Sequence, residues 1–169
     1  PPSDPDFQKQ WHIFPAESEG GGVRLDIYAQ EAWNETKGVP SVVIAVVEAE
    51  GFQTDHEDLA ANLWQNTFAA ADTPWPQLQG DQHGWNFGDC VTPESPPVDP
   101  AQVRETDCGG PGLDEMVIGD LAAHGTQVAG VVGAIQDNGK GVVGVCPECR
   151  MMLVRLGVLD AYHAAMAFL

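Results

Sequence analysis

The chain has 169 residues, 43% of them hydrophobic, with 25 Asp plus Glu against 7 Lys plus Arg, a formal net charge of −18. That length predicts one domain or part of one, and the apolar content is too high for a disordered chain. The acidity excludes nucleic acid and anionic membrane surfaces as partners, because phosphate binding needs basic surface, and no run approaches the roughly 18 apolar residues of a membrane-crossing helix.

Nothing at the start reads as a signal peptide, and Pro1-Pro2-Ser3-Asp4 is expected to be a mature or trimmed terminus. Residues 1–22 form a polar lead-in ending in a run of glycines. The stretch 25–36, LDIYAQEAWNET, spaces Ile27, Ala32 and Trp33 as a short helix does, and Gly38 punctuates it. The run 42–47, VVIAVV, predicts a strand of a parallel sheet buried on both faces. Residues 66–122 hold ten acidic residues and one basic residue, Arg104, together with most of the prolines. This predicts long surface loops, with Gly84-Trp85-Asn86-Phe87 as a short strand or packing anchor.

From residue 124 the small, apolar HGTQVAGVVGAIQ predicts a tightly packed buried helix, and the Asp137-Asn138-Gly139-Lys140-Gly141 segment a loop. A second buried strand is expected over 150–156 and a helix from 160 to 169. That last helix ends on Phe168-Leu169 with neither cap nor glycine stop, which predicts a truncated or cleaved domain. The order strand, loop, helix, strand, helix gives an α/β class with a parallel sheet flanked by helices.

Four cysteines are an even number. Cys90 and Cys108 are not the closely spaced pair of a zinc site, and Cys146-Pro147-Glu148-Cys149 lies outside any thioredoxin-like pattern, so disulfides and a compartment outside the reducing cytosol are expected. Among the five histidines, His124 stands apart because it precedes Gly-Thr at the start of a helix, where side chains project toward the ligand-binding ends of a parallel sheet. The strand 42–47 runs into Glu48-Ala49-Glu50-Gly51. A carboxylate at a strand end facing a histidine supplies two members of a Ser-His-Asp triad.

Several segments together resemble the N-terminal half of a subtilase, a subtilisin-like serine peptidase of the thermitase-like kind. SDPDFQKQWHI is similar to the family's N-D-P-x-F-x-x-Q-W lead-in, and AQEAWNETKG to its A-x-x-A-W-x-x-x-x-G helix. SVVIAVV with HEDLAANLWQN resembles V-x-V-A-V-I-D-T-G and H-P-D-L-A, and GWNF resembles G-W-D-F. HGTQVAGVVGAIQDNGKGVVGVCPECRMMLVRL is similar to the series H-G-T-H-V-A-G, N-N-x-x-G-x-x-G-V-A-P and K-L-M-P-V-K-V. The insertion at about 89–122 has no counterpart in these patterns.

The resemblance implies peptide-bond hydrolysis by acyl transfer on a protein or peptide substrate, with His124 as general base. The family's acid is the Asp of Asp-x-Gly. Counted from the strand that position is Glu48, and counted back from Gly51 it is Ala49. A glutamate shifts the oxygen by about one bond length, and a misplacement of roughly 1 Å can cost on the order of a hundredfold, so Glu48→Asp is expected to raise activity.

Ser3, Ser18, Ser41 and Ser95 are the serines, and none stands in a G-T-S-x-A context. The nucleophile is therefore expected from a C-terminal half of the same domain, and these residues alone are expected to be inactive. A pseudoprotease scaffold that binds peptides or partner proteins is the alternative. The resemblance further implies Ca²⁺ held by Asp4, Asp58, the Asn138 side chain and the carbonyls of Ile135, Lys140 and Val142, all oxygen donors of the kind calcium takes. The even cysteine count and the secreted habit of the family imply Cys90–Cys108 and Cys146–Cys149 bridges and an extracellular location.

Overall fold

A computed structural model describes residues 1–14, 26–49, 51–67, 82–86 and 123–156. The expected helix 160–169, the Cys90–Cys108 bridge and the whole 89–122 insertion lie outside these residues. Three parallel strands form the sheet: β1 (Val43–Glu48), β2 (Gly84–Asn86) and β3 (Arg150–Arg155). Their order is β1-β3-β2, with Val43 opposite Arg150, Glu48 opposite Arg155 and Trp85 opposite Val154. Helix α2 (Ala123–Gly133) packs on one face of the sheet, and a short helix α1 (Ala29–Ala32) precedes β1. The expected parallel α/β arrangement is the one observed.

The main core lies between α2 and the sheet. Val46, Phe52, Leu59, Leu63, Ala129, Ala134, Met151 and Leu153 are all buried in it. A second cluster, Phe7, Ile13, Ala29 and Val143, joins the N-terminal segment to α1, with the Phe7 and Phe14 rings edge to face at 5.3 Å. Gly84 fixes β2 against β3: its φ of +135° is open to glycine, and a Cβ there would overlap the Leu153 backbone.

Three local expectations are corrected. The run 42–47 is not buried on both faces. Val46 points into the α2 core, but Val42 and Val43 are 46% and 43% exposed, because no described element covers the opposite face of β1. The helix expected over 25–36 is a single turn: Tyr28 at its start is left-handed at φ 58°, and the Asn34 and Glu35 N–H groups bond to residues three earlier. Helix α2 buries one face only. It stops at Gly133, and Val131 on its outer side is 47% exposed.

Asn62 ties the far end of α2 to the rest. Buried as the last residue of the 3-10 turn Ala60–Asn62, it donates from Nδ2 to the Gly133 carbonyl at 2.9 Å and the Pro147 carbonyl at 2.7 Å, and its Oδ1 accepts from Arg150 at 3.0 Å. Pro147 sits in the turn closed by a Cys146–Cys149 disulfide, whose Cα atoms are 5.4 Å apart. Removing the amide leaves two carbonyls without this partner, and each unsatisfied buried group costs about 1–3 kcal/mol. Asn62→Ala is expected to lower unfolding free energy by about 2–4 kcal/mol, read from the denaturant midpoint; a change under about 0.5 kcal/mol would show these bonds to be incidental.

Candidate active site

The site forms where the C-terminal end of β1 meets the first turn of α2. Glu48 is the last residue of β1, and its carbonyl accepts from Leu156 N–H at 2.7 Å, which holds the strand end against β3. The chain then turns through Gly51 to Phe52, which is fully buried. At Gly125 helix and turn approach so closely that a Cβ would overlap the Gly51 carbonyl oxygen and lie 3.1 Å from the Phe52 ring. Only glycine allows that approach. The Gln53 N–H donates to the Thr126 hydroxyl at 3.0 Å, a second tie between the same two segments.

These contacts bring His124 Nδ1 to 3.0 Å from Glu48 Oε2. The Glu48 side chain is 14% exposed and that of His124 59%. A carboxylate can only accept, so the pairing assigns the proton to Nδ1 and leaves Nε2 as the basic nitrogen. That is the tautomer a histidine needs to take a proton from a nucleophile. Ala49 lies in the bend beyond β1, so Glu48 is the residue that meets His124. The glutamate oxygen thus stands within hydrogen-bond distance of the imidazole.

The six oxygen-donor residues named from sequence gather around the loop after α2. Asp4 and Asp58 are both buried, at 5% and 2% exposure. Asp4 accepts from the N–H groups of Asp137 and Asn138 at 2.8 and 3.2 Å. Asp58 accepts from the Asn138 amide at 2.7 Å and from Val142 N–H at 3.0 Å, while its own carbonyl accepts from Ile135 N–H. Both carboxylates therefore reach Asn138. Among the described residues neither makes an ion pair, and the partners of both carboxylates are N–H groups.

Asn138 turns its nitrogen toward Asp58 and its oxygen toward Lys140 N–H, so joining an ion requires the amide to rotate. Among the described residues no three His, Cys, Asp or Glu side chains converge, so a cation here depends on carbonyl oxygens. At the rim Lys140 bonds Glu57 at 2.6 Å and holds that carboxyl below its ordinary range; the pair is exposed and stabilises little.

Sequence reasoning missed Gln53, and it gave Gly125 and Thr126 no role beyond the motif. It also missed Gln10, whose side chain pairs both backbone groups of Val143 at 2.8 and 2.9 Å and seats the N-terminal segment on the loop. The F-x-x-Q-W spacing is the one signal that marked it.

A family model described as "Subtilase family" matches residues 40–165. The extracellular basic protease of Dichelobacter nodosus is 28% identical over 96% of this chain and 24% of its own length. Bovine furin is 26% identical over 96% of this chain and 16% of its own. The chain thus spans less than a quarter of the length of these curated relatives. Among solved structures, a protease of Pseudoalteromonas arctica matches 97% of this chain and 42% of its own at TM-score 0.51 and 25% identity. A serine protease of Aeromonas sobria, solved with its chaperone, matches 99% of this chain and 23% of its own at TM-score 0.55 and 21% identity, a likeness of fold. The matched span carries both Glu48 and His124, and the chain belongs to the subtilase family.

Proposed function

We propose that this chain supplies the base and acid of a serine endopeptidase: His124 deprotonates a serine, and Glu48 orients the imidazole and stabilises the imidazolium. The observation that carries this reading is the 3.0 Å bond between His124 Nδ1 and Glu48 Oε2 at the strand end. The serine, absent from any G-T-S-x-A context in these 169 residues, comes from a C-terminal half of the same domain, and without it the chain is inactive. Two features support such a partner segment. The face of β1 with Val43 is exposed, and a mostly apolar cavity of about 570 Å³ runs along the outer side of α2 past Thr126 and Val131 to Trp11.

In the acyl-transfer cycle, His124 Nε2 takes the serine proton as Oγ attacks the carbonyl of a peptide substrate, then returns it to the leaving amine. Glu48 stays ionised throughout. A secreted setting agrees with the Cys146–Cys149 disulfide and with the printed name of the Dichelobacter relative. In the full-length protein, Glu48→Gln is expected to lower kcat by about 10⁴, the size of effect that loss of the triad acid brings. Glu48→Asp retracts the carboxylate by about 1.5 Å, beyond hydrogen-bond reach of Nδ1. It is expected to lower kcat by on the order of a hundredfold, the opposite of the gain expected from sequence. Unchanged peptide hydrolysis in Glu48→Gln would refute the acid role. Peptide binding with no hydrolysis in the wild-type protein would establish the pseudoprotease reading instead.

We further propose that Ca²⁺ is held by Asp4 and Asp58, the Asn138 amide oxygen and the carbonyls of Ile135, Lys140 and Val142. Bound there, the ion would supply positive charge to two buried carboxylates and no reactive chemistry. It would pin the N-terminal segment to the loop after α2. Binding to the folded state alone stabilises by about 2.7 kcal/mol at a free ion concentration 100 times the dissociation constant. EDTA is expected to lower the melting temperature of the full-length protein, and Asp58→Ala to abolish the difference. Identical melting curves with and without chelator would end the calcium reading.

A further inference from the structure

We propose that Thr126 is the positioning residue that sets the reach between His124 and Glu48, an inference that rests on reading those two as base and acid. A threonine hydroxyl can accept a hydrogen bond from a backbone N–H of another segment. Here Oγ1 accepts from the Gln53 N–H at 3.0 Å, across to the segment that leaves β1. Gln53 stands five residues beyond Glu48, and Thr126 two residues beyond His124. The bond therefore joins the two backbone stretches that carry acid and base, close to both.

The neighbouring contact cannot do this alone. Gly125 meets Gly51 and Phe52 with no side chain, so it limits how near the helix can come. It does not stop the helix from sliding along the turn or rolling about its axis. A directional hydrogen bond one residue further on removes that freedom. The Phe52 ring, fully buried between the two ties, keeps the turn from moving away. His124 is the more exposed member of the pair, at 59% against 14% for Glu48. Its position is thus inherited from the start of α2, and the start of α2 takes its own position from Thr126 and Gly125.

The test uses ¹⁵N-labelled full-length protein and follows the hydrogen-bonded Nδ1–H proton of His124, assigned by its loss in His124→Gln. The wild-type protein is expected to show this resonance well downfield and protected from exchange. Thr126→Val, equal in volume but without the hydroxyl, is expected to lose it and to lower kcat by roughly ten- to a hundredfold at unchanged KM. Thr126→Ser is expected to restore both. Thr126→Ala repeats the measurement without the β-branch, should the valine variant fold poorly. Asn62→Ala, which cuts bonds at the opposite end of α2, is expected to lower the melting temperature and keep the resonance.

A Thr126→Val protein that retains the wild-type resonance would overturn the positioning role, as would loss of the resonance in Asn62→Ala to the same degree. A wild-type protein without the resonance would instead overturn the Glu48–His124 pairing, and this inference with it.

Discussion

Because residue 125 carries no side chain, the first turn of α2 can lie against the Gly51 carbonyl and the Phe52 ring. The Glu48–His124 contact depends on that approach. With a Cβ in the way the helix would stand off, Thr126 would lose the Gln53 amide, and the imidazole would leave the reach of the strand-end carboxylate. The parallel pairing of β1 and β3 sets the other side of the gap, since it fixes where Glu48 stops. A hydrogen bond between a half-exposed imidazole and a mostly buried carboxylate is worth little by itself in stability. Its geometry is held by the surrounding core, which is what catalysis by a preorganised pair requires.

At the opposite end of α2 the same chain solves a charge problem. The net charge is −18, and among the described residues Asp4 and Asp58 are acidic residues that are buried. They are useful there because they organise backbone. Four N–H contacts from Asp137, Asn138 and Val142 fold the loop around them, and Gln10 clamps the N-terminal segment beside it. The helix is thus pinned at both ends by polar contacts to segments remote in sequence, while its middle packs on apolar side chains.

The class of fold and the site partners were legible because they rest on local signals. VVIAVV reads as a parallel strand, HGT opens a helix of small residues, and a carboxylate ends the strand. The choice between Glu48 and Ala49 was not legible, since it depends on how the backbone turns between Val47 and Gly51, and spacing alone permits either count. The depth of burial of β1 was overestimated for a related reason. A run of β-branched residues shows that a strand can be covered on both faces, and only the three-dimensional arrangement shows which face a described element covers. Gln10, Gln53 and Asn62 escaped notice because each bonds a group at least 70 residues away, a distant carbonyl for Gln10 and Asn62 and the Thr126 hydroxyl for the Gln53 N–H, a relation with no periodic signature in sequence.

The central claim is that Glu48 and His124 form the acid and base of a serine peptidase whose nucleophile stands outside these residues. Mass spectrometry of the full-length protein after treatment with a fluorophosphonate, which reacts only with an activated serine, tests it most directly. The account predicts a single covalent adduct on a serine C-terminal to Leu169, with labelling slowed by orders of magnitude in His124→Ala. No adduct on the folded wild-type protein, or labelling unaffected by His124→Ala, would contradict it.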